Sequence, residues 1–163
     1  WKDIDFTNAT WTYEMTKITN GFTRKTQRLV PLSPQVMGFL RELYKETGDF
    51  DYCFPANTQT GYINKQHLKD GVLRSGVDVK VQSIHGFRAS ARTYLDEVSE
   101  LGWRTDIIWQ QMGHKVFDKN GRAYNRTLFL NERIDMMNQW SDWLDDQRNR
   151  VEDNCFVRKE EQG

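Results

Sequence analysis

Hydrophobic and polar residues alternate along the first third of the chain. Trp11, Tyr13 and Met15 share one side of a stretch whose other side is polar, and this period of two is typical of a half-buried strand. The dipeptide Asn20-Gly21 favours a tight hairpin turn, and the run RLVPL after it predicts a returning strand. We therefore expect a small antiparallel sheet over roughly residues 2–32.

A first helix is predicted after Ser33-Pro34, because serine is a good N-cap and proline suits the first turn. Gly48 ends this helix, and asparagine at position 64 is placed to cap a second one that ends near Leu73. Between them the run DYCFP, residues 51–55, is mostly apolar and bounded by proline, which predicts a short strand. The apolar side of the first helix is formed by Val36, Phe39, Leu40 and Leu43.

Helical spacing dominates from residue 83 onward. A helix is predicted from Ile84, a short one from Thr105 to its end at Gly113, and a last one after residue 128. The apolar stripe of the last helix is expected at Leu130, Ile134, Met137 and Leu144. A sheet followed by helices predicts an α+β fold: a small N-terminal antiparallel β-sheet followed by a mainly helical domain. We assign residues 1–147 to this domain and residues 148–163 to a charged tail.

Composition narrows the class of protein. The 163 residues fit one domain, and their net charge of zero gives no overall attraction to nucleic acid. Any such binding must come from a local basic patch. Cys53 and Cys155 lie far apart and resemble reduced thiols, which suits an intracellular compartment. The absence of an apolar run of about 18 residues predicts that the chain has no membrane partner.

Several side chains with useful chemistry stand at informative positions. His85 and Arg88 lie three residues apart, so a helix places them side by side. His114 follows Gly113 directly, and Tyr124 comes ten residues later. Lys17 continues the alternation of the first strand. Taken singly, these patterns are more typical of a salt-bridged helix face, a surface loop and an edge strand protected by lysines than of a catalytic site.

A phosphodiester substrate would connect these groups. Arginine binds phosphate oxygens with a bidentate fork, tyrosine can form a covalent phospho-enzyme, and lysine can protonate a leaving oxygen. Such chemistry requires no metal when cations stabilise the charge. The histidines and cysteines lack the spacing of zinc ligands, so we expect neither a metal nor another cofactor.

The order of these motifs resembles the catalytic domain of the tyrosine recombinases, the phage integrase family. Local blocks are similar to prophage and genomic-island integrases related to that of satellite phage P4: WKDIDF, RLVPLS, YCFP, HGFRASARTYLDE, MGHK, AYNR and ERIDMMNQWSDWLD. The resemblance runs from Trp1 to about Asp146. It implies a site-specific recombinase that cleaves and rejoins DNA without a metal.

The resemblance also implies a role for each candidate residue. Tyr124 would be the nucleophile that forms a 3′-phosphotyrosyl link, and Arg88 would bind the scissile phosphate. His85 would act as general base or as a hydrogen-bond donor to the phosphate, and His114 as a further phosphate ligand. Lys17 would be the general acid. Lys25 is the second choice, because the alignment within the long hairpin can slip.

One feature of the family is missing from these residues. The family carries a first catalytic arginine just upstream of the Trp-x-Asp-Ile-Asp block, and this chain starts at that tryptophan. It therefore reads as a piece of a longer protein, and we expect these residues alone to be weakly active or inactive. Losing one preorganised donor of this kind typically costs about 10²–10³ in rate.

The resemblance implies partners as well. They are double-stranded DNA attachment sites, other integrase protomers in a tetrameric synaptic complex, and accessory DNA-bending or directionality factors. The tail would pack on a neighbouring protomer through Val151, Phe156 and Val157, or else fray. The expected location is the bacterial cytoplasm, at the nucleoid. Two other functions remain open: a non-catalytic DNA-binding or assembly remnant, and a type IB topoisomerase, which the P4-like blocks disfavour.

Overall fold

A computed structural model describes residues 1–19, 22–78, 80–98, 101–114 and 129–160, with backbone alone at 17–19, 24 and 152–160. It has the expected α+β architecture, with the sheet first and the helices after it. The strands are β1 (Ile4–Asp5), β2 (Thr10–Thr19) and β3 (Phe22–Pro31). The helices are α1 (Pro34–Thr47), α2 (Lys65–Arg74), α3 (Ile84–Glu97), α4 (Thr105–Gln111) and α5 (Leu130–Glu160).

The sheet is antiparallel in the order β1-β2-β3, as predicted. Strands β2 and β3 pair along their whole length, from Thr10 opposite Pro31 to Thr19 opposite Phe22. The predicted turn, Asn20-Gly21, lies outside the described residues. Trp11 and Tyr13 stack with ring centroids 4.5 Å apart, as expected of alternate residues on one side of a strand.

Polar side chains cap three of the helices, two of them at the predicted residue. The Ser33 hydroxyl accepts a hydrogen bond from the Val36 amide. The Asn64 side chain accepts from the amides of Gln66 and His67 at 2.8 and 3.1 Å. Ser83 caps α3 by accepting from the amide of Gly86 at 2.9 Å. These bonds satisfy first-turn amides that have no partner within a helix.

Two of the predictions were wrong in this region. The run DYCFP is no strand: its backbone bends, and its one bridge joins Pro55 to Tyr62 across a tight loop. Tyr52 and Tyr62 form a ring contact across that loop instead, with centroids 4.8 Å apart. Phe39 was expected in the core of α1 but is 70% exposed, because no described element covers that side of the helix.

The core lies between α3, α4 and α5. It consists of Leu95, Leu101, Ile107, Ile108 and Met136. The stripe predicted for α5 was partly wrong, since Leu144 is exposed whereas Arg133, Met136 and Ser141 are buried. Helix α5 therefore buries a different set of side chains from the one predicted. Two of these three buried residues, Arg133 and Ser141, are polar. Those polar groups need partners, which other elements provide.

Helix α5 is tied to the start of α1 by side-chain hydrogen bonds. The hydroxyls of Ser141 and Ser33 lie 2.7 Å apart in a buried position. Gln35 Nε2 donates to Asp142 at 2.6 Å and to Asp145 at 3.2 Å. The N-cap of α1 and the middle of α5 are thus fixed together, although more than a hundred residues separate them in the chain.

The last helix extends into the segment that was assigned to a charged tail. Helix α5 continues without interruption to Glu160, through most of that segment. Val151 is 62% exposed, and the side chains of Phe156, Val157 and Cys155 lie outside the described residues. The boundary at residue 147 therefore stays a prediction. Cys53 is half-buried and free, and no helix among the described residues has the length and apolar character needed to cross a bilayer.

Candidate active site

The candidate site is built around the end of helix α4. Gly113 follows the helix with φ of +73°, a left-handed conformation that glycine adopts without a steric penalty. The turn lets the His114 amide donate to the carbonyl of Trp109 at 2.9 Å. The two side-chain rings lie beside each other with centroids 6.4 Å apart. His114 is thus placed by a helix end and not by a free loop.

Three arginines from three different elements meet the residues at this helix end. Arg28 of β3 donates to the carbonyl oxygen of Gly113 at 2.6 Å. Arg88 of α3 donates to the neighbouring carbonyl, that of Met112. Arg133 of α5 donates through Nε to the Gln111 side chain at 2.9 Å. Carbonyls at a helix C-terminus have no intrahelical donor and carry partial negative charge, so arginine suits them.

Arg133 is the most deeply buried of these arginines, at 2% exposure. It also donates through Nη2 to the backbone carbonyl of Leu29 at 2.5 Å and so joins β3 to α5. Burial, and after it the nearby Arg28 guanidinium, lower the pKa of Arg133 to about 10. The side chain therefore remains charged at neutral pH, and the site contains a buried positive charge.

His85 and Arg88 occupy the first turns of α3 and both are exposed. Arg88 contacts the Met112 carbonyl, one residue before the turn that carries His114. His85 lines a groove between the start of α3 and helix α2. The structure thus brings Arg88 and the His114 turn together, with His85 one turn earlier on the same helix.

The two lysines proposed for the general acid differ in their surroundings. Arg28, which reaches the site, pairs with Tyr13 in the sheet, and Lys17 lies four residues further along β2. At the usual rise along a strand, Lys17 starts roughly 13 Å from that point. Its side chain lies outside the described residues. Lys25 forms an ion pair with Glu14 at 2.8 Å, and the hydrogen bond and charge of Glu14 raise the pKa of Lys25.

Tyr124 lies outside the described residues, within the gap between His114 and Phe129. Its assignment as nucleophile stays a prediction. Both ends of that gap are described: His114 stands at the Arg28 and Arg88 contacts, and Phe129 packs against the core cluster. Across the described ranges no group of three or more histidine, cysteine and acidic side chains could hold a metal ion.

Arg28 and Arg133 contact the site but were not among the candidate residues. Each stands in a block quoted above, Arg28 in RLVPLS and Arg133 in ERIDMMNQWSDWLD. Arg133 could have been noticed in the sequence, because this charged residue directly precedes Ile134 of the predicted apolar stripe of α5. The signal for Arg28 was weaker, because the hairpin holds several basic residues and nothing local separates them.

Sequence comparison gives relatives for nearly the whole chain. The integrase of Enterobacteria phage P4 is 32% identical over 161 residues, which cover 92% of this chain and 36% of that protein. The IntB protein of Escherichia coli strain K12 is 32% identical over the same share of the chain and 40% of its own length. The prophage integrase IntA of that strain is 28% identical over 143 residues, or 87% of this chain and 33% of its own length.

The chain belongs to the phage integrase family. The similarity covers about nine tenths of the chain, from 87% to 92% of its residues. The chain spans about a third to two fifths of the length of these relatives. No family model matches it. No solved structure matches it either.

Proposed function

We propose that this chain is the catalytic part of a tyrosine-type site-specific recombinase that integrates or excises a prophage or genomic island. The site needs no metal in this proposal, because arginine and histidine stabilise the phosphate charge. The substrates are the two duplex attachment sites. Four protomers act together on the two duplexes, in the bacterial cytoplasm and with accessory DNA-bending factors.

The reaction follows from the roles of the individual groups. The Tyr124 oxygen attacks the scissile phosphorus and loses its proton to His85 or through it to water. The bond from phosphorus to the 5′ oxygen breaks, and Lys17 protonates that oxygen to give a free 5′ hydroxyl. The product is a 3′-phosphotyrosyl link. Attack by a 5′ hydroxyl of the other duplex reverses these steps and rejoins the strands.

The observation that carries the proposal is the contact of Arg88 with the His114 turn. Arg88 makes one hydrogen bond among the described residues, to Met112, and an arginine has five N–H donors. The remaining donors are available for phosphate oxygens next to His114. Lys17 reaches that point when the hairpin bends toward it. The ion pair with Glu14 makes Lys25 a poorer general acid, because the lysine holds its proton more tightly.

The test is substitution of the nucleophile in the full-length protein. Tyr124→Phe should abolish covalent protein–DNA complexes on a suicide substrate, since no oxygen remains to attack phosphorus. DNA affinity in a filter-binding or mobility-shift assay should stay close to that of the wild type. Covalent complexes formed by Tyr124→Phe would show that another residue is the nucleophile.

Two further variants separate catalysis from simple binding. Arg88→Ala and His85→Ala should reduce cleavage by about 10²-fold or more, with a smaller effect on DNA affinity. Equal losses of cleavage and affinity would favour a non-catalytic DNA-binding remnant. Relaxation of supercoiled DNA without any requirement for an attachment site would favour a topoisomerase.

A further inference from the structure

A groove lies between helix α2 and the first turn of α3, outside the cluster at the end of α4. Its volume is about 430 Å³. Helix α2 contributes Lys65, Gln66, Lys69, Val72 and Leu73, and the start of α3 contributes Ser83, Ile84 and His85. The groove therefore reaches one of the proposed catalytic residues from the side of α2.

The rim of the groove is positively charged. Lys65 and Lys69 stand four residues apart, so they lie on one face of α2. Both are exposed, and neither forms an ion pair within the described part of the chain. The one carboxylate of α2, Asp70, accepts from Gln66 Nε2 at 2.8 Å. Helix α2 has three basic side chains, Lys65, Lys69 and Arg74, and one acidic side chain. The chain as a whole has no net charge.

The other wall of the groove also favours anions. The N-terminus of α3 stands there, and Ser83 satisfies one of its free amides by accepting from Gly86. The other first-turn amides and the positive end of the helix dipole lie at this same end of α3. Val72, Leu73 and Ile84 add apolar side chains to the lining of the groove.

We propose that this groove binds the sugar–phosphate backbone of duplex DNA beside the scissile phosphate. Deoxyribose carbons suit the apolar part of the lining, and the phosphates suit Lys65, Lys69 and the α3 N-terminus. This inference rests on the proposed function and adds a substrate-positioning site to it. Contacts of this kind fix the register of DNA without reading its sequence.

Salt dependence tests the groove directly. The full-length protein is titrated with a short duplex of arbitrary sequence at increasing salt. Each neutralised phosphate contributes about 0.9 to the slope of log affinity against log salt. The double variant Lys65→Gln/Lys69→Gln should therefore have a slope smaller by about 2. Between about 50 and 200 mM salt the wild type should lose about tenfold more affinity than this variant.

Two matched variants complete the experiment. Lys2→Gln/Lys45→Gln removes the same charge from exposed lysines outside the groove and should keep the wild-type slope. Lys65→Arg/Lys69→Arg keeps the charge in the groove and should also keep that slope. All variants should unfold at the wild-type temperature, because exposed lysines contribute little to stability.

The outcomes distinguish this inference from the proposed function. An unchanged slope in Lys65→Gln/Lys69→Gln would show that the groove does not bind DNA. An equal fall of the slope in the Lys2→Gln/Lys45→Gln control would also overturn the inference. If the wild type still forms a covalent complex that depends on Tyr124, the proposed function survives that result. A wild-type protein without salt-dependent DNA binding would overturn both.

Discussion

Individual side chains place His114 through bonds to backbone atoms. The His114 amide is held by the Trp109 carbonyl, and the two preceding carbonyls are held by Arg88 and Arg28. Gly113 makes this possible, since only a left-handed residue turns the chain so sharply at the end of α4. The position of His114 therefore depends on a conformation and on two cations, and not on contacts of its own ring alone.

Substitution of Gly113 tests that conformation. An added Cβ would lie 3.7 Å from the Arg28 guanidinium carbon, an ordinary contact, so the cost of Gly113→Ala comes from the positive φ. We expect a loss of about 1–2 kcal/mol in the free energy of unfolding, measured by urea denaturation. Gly38→Ala is the control, because a Cβ there meets open space in α1 and should stabilise by about 0.5–1 kcal/mol. Two changes of the same sign would contradict this account.

Secondary-structure elements show which signals in the sequence were sufficient. Ser33, Asn64 and Gly113 act on their own neighbours, so the helix ends that they determine were predictable. Phe39 and the run DYCFP were not, because their exposure and pairing depend on which distant element covers them. The same holds for Arg133, whose acceptors on β3 and α4 are remote in the chain. Hydrophobic periodicity predicts that a face is buried, but not the partner that buries it.

The connection between β1 and β2 predicts a pH effect. The Asp5 carboxylate accepts from the amides of Thr7 and Asn8, each at 2.9 Å, and from the Asn8 side chain at 2.6 Å. The side-chain bond from Asn8 is the main cause that lowers the pKa of Asp5 below its ordinary value of 3.8. The stability that this turn contributes is therefore complete above pH 3.8 and is lost as the pH falls through the lowered pKa.

The measurement compares Asp5→Asn with the wild type over a range of acidic pH. Asparagine resembles the protonated carboxyl, so the difference in unfolding free energy should be largest above pH 3.8 and should shrink below it. A difference that stays constant through acid pH would show that the charge of Asp5 does not stabilise the turn.

At the scale of the whole molecule, arginines join elements that the hydrophobic core does not. The core cluster lies between α3, α4 and α5, whereas the sheet reaches α4 and α5 through Arg28 and Arg133. The α+β class and the order of elements followed from the sequence. The way in which the hairpin is anchored did not, because it depends on polar bonds between remote residues.

Loss of the Arg28 anchor should therefore affect both stability and the site. Arg28→Met leaves the Gly113 carbonyl without its donor, and we expect a loss of about 1–3 kcal/mol in unfolding free energy. Amide hydrogen exchange in residues 105–114 should become faster. Arg41→Met, at an exposed arginine of α1, should change stability by less than about 0.5 kcal/mol. Equal effects of the two variants would show that Arg28 does not anchor the hairpin.

The hydrogen bonds of the site span long stretches of chain, 85 residues from Arg28 to Gly113 and 104 from Leu29 to Arg133. Closing such loops costs entropy that only the assembled fold offsets. The hairpin and the single helices can form from neighbours in sequence, whereas the surroundings of His114 require β3, α4 and α5 at once. A nascent chain emerging from the ribosome thus acquires these surroundings only after α5 has been synthesised, so the earlier strands and helices must wait for this helix before the candidate site can form.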